Sequence, residues 1–416
     1  WVKPNGEAFK VITGDFVTTE DGTGIVHIAP TFGADDYRVA RQNDIASLLV
    51  IDKQGSQMPL VDKKGRFVPL EDLDENFIKN NVNVQKYKDF GGLFVKKEYQ
   101  PVVKENDEET DVRIAMELKL NNKAFKIEKH IHNYPHCWRT DKPILYYPLD
   151  SWFIKTTAVR DSLIRLNNTI NWKPETTGTG RFGKWLENLQ DWNLSRSRFW
   201  GTPLPIWLTE DKSELKCIGS VAELKEEIIK SVKAGLMKDN ILAKFEAGNF
   251  SKENYNFFDL HRPFVDEIIL VSENGTPMKR ESDLIDVWFD SGAMPYAQMH
   301  YPFEHKDDFK NFFPADFIAG GVDQTRGWFF TLHAISTMML DSVAFKNVVS
   351  NGLVLAKDGA KMSKRLGNAV DPFSMIEKYG SDPLRWYMIT NASPWDNLKF
   401  DEDGVDEIIR KFFGTL

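Results

Sequence analysis

The sequence predicts an α/β protein built around a mainly parallel sheet, with a separate β-rich module in front of it. Strand-like and helix-like stretches alternate from 286 to 375, the pattern left by crossover-connected strands. Short β-branched runs punctuated by glycine and proline fill most of 1–130, which reads as a module of its own. A length of 416 residues exceeds what one ordinary core supports, so two or three domains are expected.

Within the first module, "FKVITGDFVT", "GTGIVHIAP" and "ASLLVID" are the expected strands, and "GADDYRVARQND" has helical character. Residues 107–129 open on acids, which suits a helix N-terminus. From 130 to 210 the chain turns rich in Trp, Pro and Arg. The stretch 211–285 is more polar, and "SVAELKEEIIKSVKAGLMK" in it sets Leu224, Ile228 and Val232 at helical spacing. After it come "LIDVWFD" and "FIAGG" as strands, a helix over about 325–340, the strand "NVVSNGLVL" and a helix near "PFSMIEKYG". The tail from about 382 reads as helical. The chain opens on Trp1 rather than Met and is expected to be a piece of a longer protein.

With 53 basic and 61 acidic side chains the net charge is −8, so any nucleic acid must be met by local patches. Arg196 and Arg198 are one such candidate pair. Two cysteines 80 positions apart, Cys137 and Cys217, argue against a disulfide framework and for a reducing, cytoplasmic setting. The longest apolar run, Trp328–Leu340, falls short of the roughly 20 residues a membrane helix needs and is interrupted by Thr331, His333, Ser336 and Thr337.

Several motifs invite chemistry. "GTGRFG" at 178–183 matches a dinucleotide fingerprint in form, but no apolar strand precedes it, so it is expected to be a structural turn leading into the helix "RFGKWLENL". "HIHNYPHCWRT" gathers three histidines and Cys137, yet it lacks a second cysteine at C-x-x-C spacing. A packed junction is the better expectation there, with zinc the alternative. In "GTGIVHIAPTFGADDY", His27 ends an expected strand, and Asp35 and Asp36 open a helix. Those carboxylates could cap the helix or pair with a ligand ammonium. "DLIDVWFDSGAMPY" and "DFIAGGVDQTRGWFF" lie where open α/β sheets bind ligands. Trp288 and Trp328 are either apolar walls of a pocket or a buried pair, with Asp323, Gln324 and Arg326 as the polar groups beside them. Last, "DGAKMSKRLGN" places Lys361, Lys364 and Arg365 on a loop after the strand "GLVLA". Cations there suit a phosphate-bearing substrate whose charge rises in the transition state; a solvated basic turn is the bland alternative.

Taken in order, G-T-G-x-V-H-x-A-P, Y-P-H-C-W-R, S-R-S-R-F-W-G-T-P-L-P-I-W, D-V-W-F-D-S-G, D-Q-T-R-G-W-F and K-M-S-K-R closely resemble the class I aminoacyl-tRNA synthetases that handle branched aliphatic amino acids. The wording "GVDQTRGWFF" is similar to the isoleucyl branch and unlike the valyl and leucyl ones. This resemblance implies a partial Rossmann-like catalytic domain with an editing insert. Residues 1–138 would be part of the editing domain, 139–210 a junction with a catalytic segment, and 211–285 a connective insertion. The C-terminal catalytic half would span 286–381, and a helical tRNA-binding domain would begin at 382–416. It implies ATP-dependent activation of isoleucine, transfer to tRNA(Ile), Mg²⁺ accompanying ATP, no membrane and a monomer. Lys361, Ser363 and Lys364 match the signature loop, with Lys364 stabilising charge on the ATP phosphates. Trp288 and Trp328 match the side-chain pocket, and Asp323 and Gln324 the polar end of the amino acid. His27 and Asp36 match the editing residues that screen side-chain size and bind the α-amino group. The physical need for editing is general. One methylene is worth only about 1–3 kcal/mol in an apolar pocket, a limit for which isoleucine against valine is the standard illustration.

Three departures from the family pattern stand out. None of the eight histidines is followed by x-Gly-His or x-Gly-Asn, so the usual second ATP motif is absent from this stretch. The Thr-rich strand of the editing site is absent too. Gly320 stands where relatives usually carry Glu, which puts a ribose contact there in doubt. The chain by itself is therefore expected to neither activate isoleucine nor edit, which pyrophosphate exchange on the isolated chain measures. A valyl or leucyl enzyme, a non-catalytic tRNA-binding relative and a stand-alone editing hydrolase are the competing readings.

Overall fold

The computed structural model describes residues 1–20, 23–103, 108–129, 131–137, 140–363 and 367–416. The chain divides into two compact units, Trp1–Asp150 and Ser151–Leu416.

In the first unit, α1 (Ala34–Gln42) carries Asp35 and Asp36 in its first turn and Arg41 in its last, the charge order its dipole favours. A tight hairpin follows, β1 (Leu49–Ile51) against β2 (Gln57–Pro59), antiparallel. Asp52 makes its turn by accepting the amides of Gln54 and Ser56 at 2.9 and 2.8 Å. Asp74 caps α2 (Glu75–Asn81) and Asn83 caps the short α3 (Val84–Tyr87). The last helix is α4 (Thr110–Leu120), inside the stretch whose acids predicted it. Val50, Val68, Leu73, Phe77 and Tyr87 make the core of this unit.

Two expected strands do not form here. Among the described residues, 9–18 and 23–30 pair with no other strand, and Phe9, Val11 and Ile25 are 93, 99 and 81% exposed. β-branched residues favour a strand only where neighbours give them a face to pack on. The histidine cluster also differs from the packed junction expected. Residues 134–137 and 140–144 pair locally, with Cys137 donating its amide to Lys142 O at 2.8 Å and the Tyr134 hydroxyl to Ile144 O at 2.9 Å. His132 and His136 stay exposed. No group of three metal-ligating side chains gathers among the described residues, which exclude His130.

The second unit begins with β3 (Phe153–Ile154), α5 (Arg160–Asn167) and β4 (Asn171–Lys173). "GTGRFG" then winds as a π-helix over Thr177–Phe182 and runs on into α6 (Gly183–Glu187). The expected turn is thus already helix. Gly178 explains the close fit, because a Cβ there would collide with the Trp172 ring. Asn167 locks the turn by donating to Gly178 O at 3.1 Å while accepting from Trp172 Nε1 at 2.9 Å. Next come β5 (Trp192–Asn193), antiparallel to β3, and β6 (Ser195–Arg196).

The connective stretch folds on its own core. It holds β7 (Ile206–Thr209), β8 (Leu215–Cys217), α7 (Val221–Lys233), α8 (Lys252–Tyr255), β9 (Leu270–Val271) and β10 (Pro277–Arg280). Its sheet has the order β8-β7-β10-β9, all antiparallel, packed on Trp207, Ile228, Leu242 and Ile268. Ser220 caps α7, whose apolar spacing had predicted it.

Beyond it, β11 (Leu284–Ile285) pairs with β6, and "DVWFD" turns into α9 (Val287–Gly292) instead of continuing as strand. The cause is Asp286, whose carboxylate takes the Trp288 amide and starts the helix. Short helices α10 (Met294–Ala297) and α11 (Phe309–Phe312) lead to β12 (Ala315–Gly321). A 3₁₀ turn over Val322–Arg326 precedes α12 (Trp328–Leu340), so the helix starts three residues later than expected. Its Thr331, His333, Ser336 and Thr337 are all buried. Then β13 (Phe345–Asn351) lies between β12 and β4, parallel to both. Gly352 breaks the expected long strand, since a Cβ there would collide with the Asp396 carbonyl, and β14 (Val354–Leu355) follows. The tail adds α13 (Pro372–Tyr379), α14 (Ser381–Thr390), β15 (Leu398–Lys399), parallel to β14, and α15 (Glu402–Ile408).

The three parallel strands and α12 bury Trp172, Phe182, Phe329, Phe345 and Val348 in one core. In register, Gly321 stands opposite Asn351. The chain therefore leaves β12 and β13 at the same level, at the carboxyl end of the sheet, where open α/β sheets bind ligands.

Candidate functional site at the carboxyl end of the parallel sheet

Four of the residues singled out in the sequence meet around Gly327. Gln324 turns back so that its Oε1 accepts the Trp328 amide at 3.1 Å and its Nε2 donates to Asp323 Oδ2 at 3.2 Å. Trp328 Nε1 donates to Ser291 O, at the far end of α9, at 2.9 Å. The Trp288 indole lies over Gly327, whose missing Cβ would stand 3.3 Å from its ring and 3.0 Å from Gln324 Oε1. A side chain at 327 would displace one or the other. Trp288 is 41% exposed and Trp328 half-buried, so the pair is not sealed in a core. The exposed Asp323 stands beside them, held by the Gln324 amide.

Elements outside the quoted motifs hold this turn in place. Thr325 is fully buried, donates to Val322 O at 2.8 Å and accepts from Arg181 Nε at 3.0 Å. The Arg326 guanidinium sits 4.9 Å over the Trp185 ring. Asp290, half-buried on α9, has its carboxyl pushed up by burial; the Asp286 charge adds to that, while a Thr202 hydrogen bond opposes it.

Asp358-Gly359 turns the chain in a hairpin at the head of the lysine-rich loop. Gly359 has φ of 86° and donates to Ala356 O at 2.8 Å; Ala356 donates to Ala360 O at 2.9 Å, and Leu355 bridges Lys361. Lys357, in the stem, reaches Asp401 at 2.9 Å and Asp403 at 3.1 Å. Asn368 closes the loop, accepting the Ser363 amide at 2.8 Å and donating to Lys361 O at 3.2 Å. Lys361 is exposed and forms no ion pair among the described residues. Lys364 and Arg365 lie outside the described residues.

His27 and Asp36 belong to the other unit. Asp36 is half-buried, and its Oδ2 accepts the Ala29 amide at 2.9 Å, closing the loop that follows the exposed His27. Gly33, not an aspartate, holds the N-cap position of α1. Asp35 pairs with Arg38 on the surface at 3.2 Å.

Sequence reasoning passed over Asp286, although an Asp directly before an apolar run is a helix-start signal. It also did not foresee the partner of Arg196. That guanidinium lies 2.7 Å from the buried Asp286 carboxylate and donates to Asn193 O and Ser195 O. Of the two arginines held to be candidates for RNA, Arg198 alone forms no ion pair among the described residues.

The Asp-Gln-Thr-Arg turn follows β12 directly, and the lysine hairpin follows β13 by way of β14. The sequence profile of the tRNA synthetases class I (I, L, M and V) matches residues 75–401, and the chain belongs to that family. The isoleucine–tRNA ligase of Bacteroides fragilis is 69% identical over 420 residues, covering 100% of this chain and 37% of that protein. That of Clostridium acetobutylicum is 44% identical over 417 residues, covering 100% and 34%. Among solved structures, Mycobacterium tuberculosis methionyl-tRNA synthetase in complex with methionyl-adenylate matches with a TM-score of 0.42 and 16% identity, over 67% of this chain and 41% of that one. The chain thus spans little more than a third of the length of the curated relatives it matches. No described helix is long and apolar enough to cross a membrane.

Proposed function

We propose that the chain is part of an isoleucine–tRNA ligase, which forms isoleucyl-adenylate from isoleucine and ATP and passes isoleucine to tRNA(Ile), acting as a cytoplasmic monomer. The observation that carries this reading is the 69% identity to an isoleucine–tRNA ligase across the whole chain. Trp288 and Trp328 wall the isoleucine side chain, and Asp323 and Gln324 face its ammonium end. Lys361, Ser363 and Lys364 hold the ATP phosphates and offset the charge that grows on them as pyrophosphate leaves. Mg²⁺ arrives with ATP.

We assign the remaining parts by the division expected from the sequence. Residues 1–138 belong to the editing domain, 139–210 to the junction, 211–285 to the connective insertion, 286–381 to the catalytic half and 382–416 to the helical tRNA-binding domain. This chain alone completes neither site. In the editing domain, Asp36 binds the α-amino group of a wrongly attached valine and His27 limits side-chain size, with water attacking the ester.

Two measurements on the full-length enzyme test these roles. Lys364→Ala is expected to slow isoleucine-dependent pyrophosphate exchange by about 10²–10³-fold, with ATP-independent isoleucine affinity unchanged. An equal loss of that affinity would show the lysine to serve the amino acid and not the phosphates. Asp36→Ala is expected to let Val-tRNA(Ile) accumulate, and a normal deacylation rate in that variant would remove Asp36 from the editing site. Exchange supported by valine or leucine in preference to isoleucine would overturn the isoleucine reading as a whole.

A further inference from the structure

Asp286 is the least exposed charged group next to the proposed pocket, with a side chain 5% exposed. Its Oδ2 accepts Trp192 Nε1 at 3.1 Å and faces the Arg196 guanidinium at 2.7 Å, while Oδ1 receives the Trp288 amide at 3.4 Å. Its own amide donates to Leu194 O at 2.7 Å, and its carbonyl accepts the Phe289 amide at 2.7 Å. One carboxylate thus joins the segment Trp192–Arg196 to the first turn of α9. At the other end of that six-residue helix, Ser291 O takes the Trp328 indole. The helix carrying Trp288 is pinned at both ends, and its indole lies over Gly327.

A neutral Asn or Ser could cap such a helix. A buried carboxylate costs desolvation and is weak evidence for stability in itself. What the charge adds is a fixed direction. The Arg196 guanidinium, held by Asn193 O and Ser195 O, determines where the carboxylate sits, and the carboxylate determines where α9 begins. We propose that Asp286, set by Arg196 and Trp192, is a positioning residue for the amino-acid pocket: it touches no substrate and acts through the placement of Trp288. The inference rests on the reading of Trp288 as a wall of the isoleucine pocket.

The test uses pyrophosphate exchange by the full-length enzyme, with KM for isoleucine, KM for ATP and the preference for isoleucine over valine as readouts. Trp288→Ala is the benchmark and raises KM for isoleucine. Asp286→Ala is expected to raise KM for isoleucine about tenfold and to narrow the preference over valine, with KM for ATP within about twofold. The double variant is expected to be no worse than Trp288→Ala alone, because both changes remove the same contact. Arg196→Ala follows the same pattern, and Arg196→Lys restores part of it. Should Asp286→Ala not fold, Asp286→Asn, which keeps an acceptor and loses the charge, is judged by the same criteria. Effects of Asp286 and Trp288 that add, or a fall in kcat with KM for isoleucine unchanged, would overturn the positioning role. A Trp288→Ala enzyme with normal KM for isoleucine would instead remove the pocket reading on which it rests.

Discussion

Replacing Phe329 with alanine will cost the Ser151–Leu416 unit about 3–5 kcal/mol, the usual range for a phenylalanine removed from a sealed core. Phe329 is fully buried and meets Trp172 and Phe345 edge-on, each with ring centroids 5.9 Å apart. Its ring also fills the space beside Gly320, where a Cβ would stand 2.9 Å from it. The hole would open between α12 and the parallel sheet, which have no slack to close it. Urea denaturation of the purified protein reads the loss as a lower midpoint. Phe317, on the neighbouring strand and 60% exposed, is the control, and its alanine variant should stay within about 0.5 kcal/mol of the parent. Equal midpoints for the two variants would refute this account of the core.

A second large effect belongs to acid. His333 is fully buried on α12; its Nε2 donates to Leu163 O at 2.9 Å, its ring lies edge-on to Phe182 at 5.7 Å, and its Nδ1 has no partner among the described residues. Burial pulls its pKa down from 6.5 to about 4. A value lower in the folded state means that folding favours the neutral ring. This contribution is intact above about pH 6.5, is lost progressively as pH falls towards 4, and stops changing below that. Integrated over the interval it amounts to about 3 kcal/mol. His333→Gln cannot titrate, so its stability relative to the parent should improve by about that amount between pH 7 and pH 4. Carboxylates titrate in both proteins and cancel in the difference. Parallel stability curves for the two proteins would rule out the histidine as the source of acid sensitivity.

Legibility in the sequence followed how local the determining contacts are. The parallel sheet, α7, α12 and the lysine hairpin were readable because periodicity, caps and an Asp-Gly turn act within a few residues. The strands expected at 9–18 and 22–30 were not, because a strand needs partners elsewhere in the chain and β-propensity does not say whether they are present. Gly22 itself lies outside the described residues. "DVWFD" looked like strand since apolar residues crowd it, and one carboxylate at its head overrode that. The polar residues of α12, read as interruptions, lie in the interior, where His333 hydrogen-bonds Leu163 O and Ser336 accepts from the Tyr296 hydroxyl. At the site, motif order pointed to Trp288, Gln324 and Trp328, and they do meet at Gly327. Of the groups that hold them, Arg181, Trp192 and Arg196 lie 90–144 positions from their partners Thr325 and Asp286, and no spacing rule reaches that far.

The wide turn over Thr177–Phe182 bears on the same question of aim. Each residue of an α-helix advances the chain by about 100° around its axis, and a π-turn accommodates one residue more than an α-turn does. Arg181 therefore leaves the helix at a different compass bearing from the one tighter winding would give it. Its observed bearing brings Nε to the Thr325 hydroxyl at the root of the Asp-Gln-Thr-Arg turn. The surplus residue in "GTGRFG", which in the sequence looked like slack before a helix, sets the rotational phase of a helix that braces the loop beside both tryptophans.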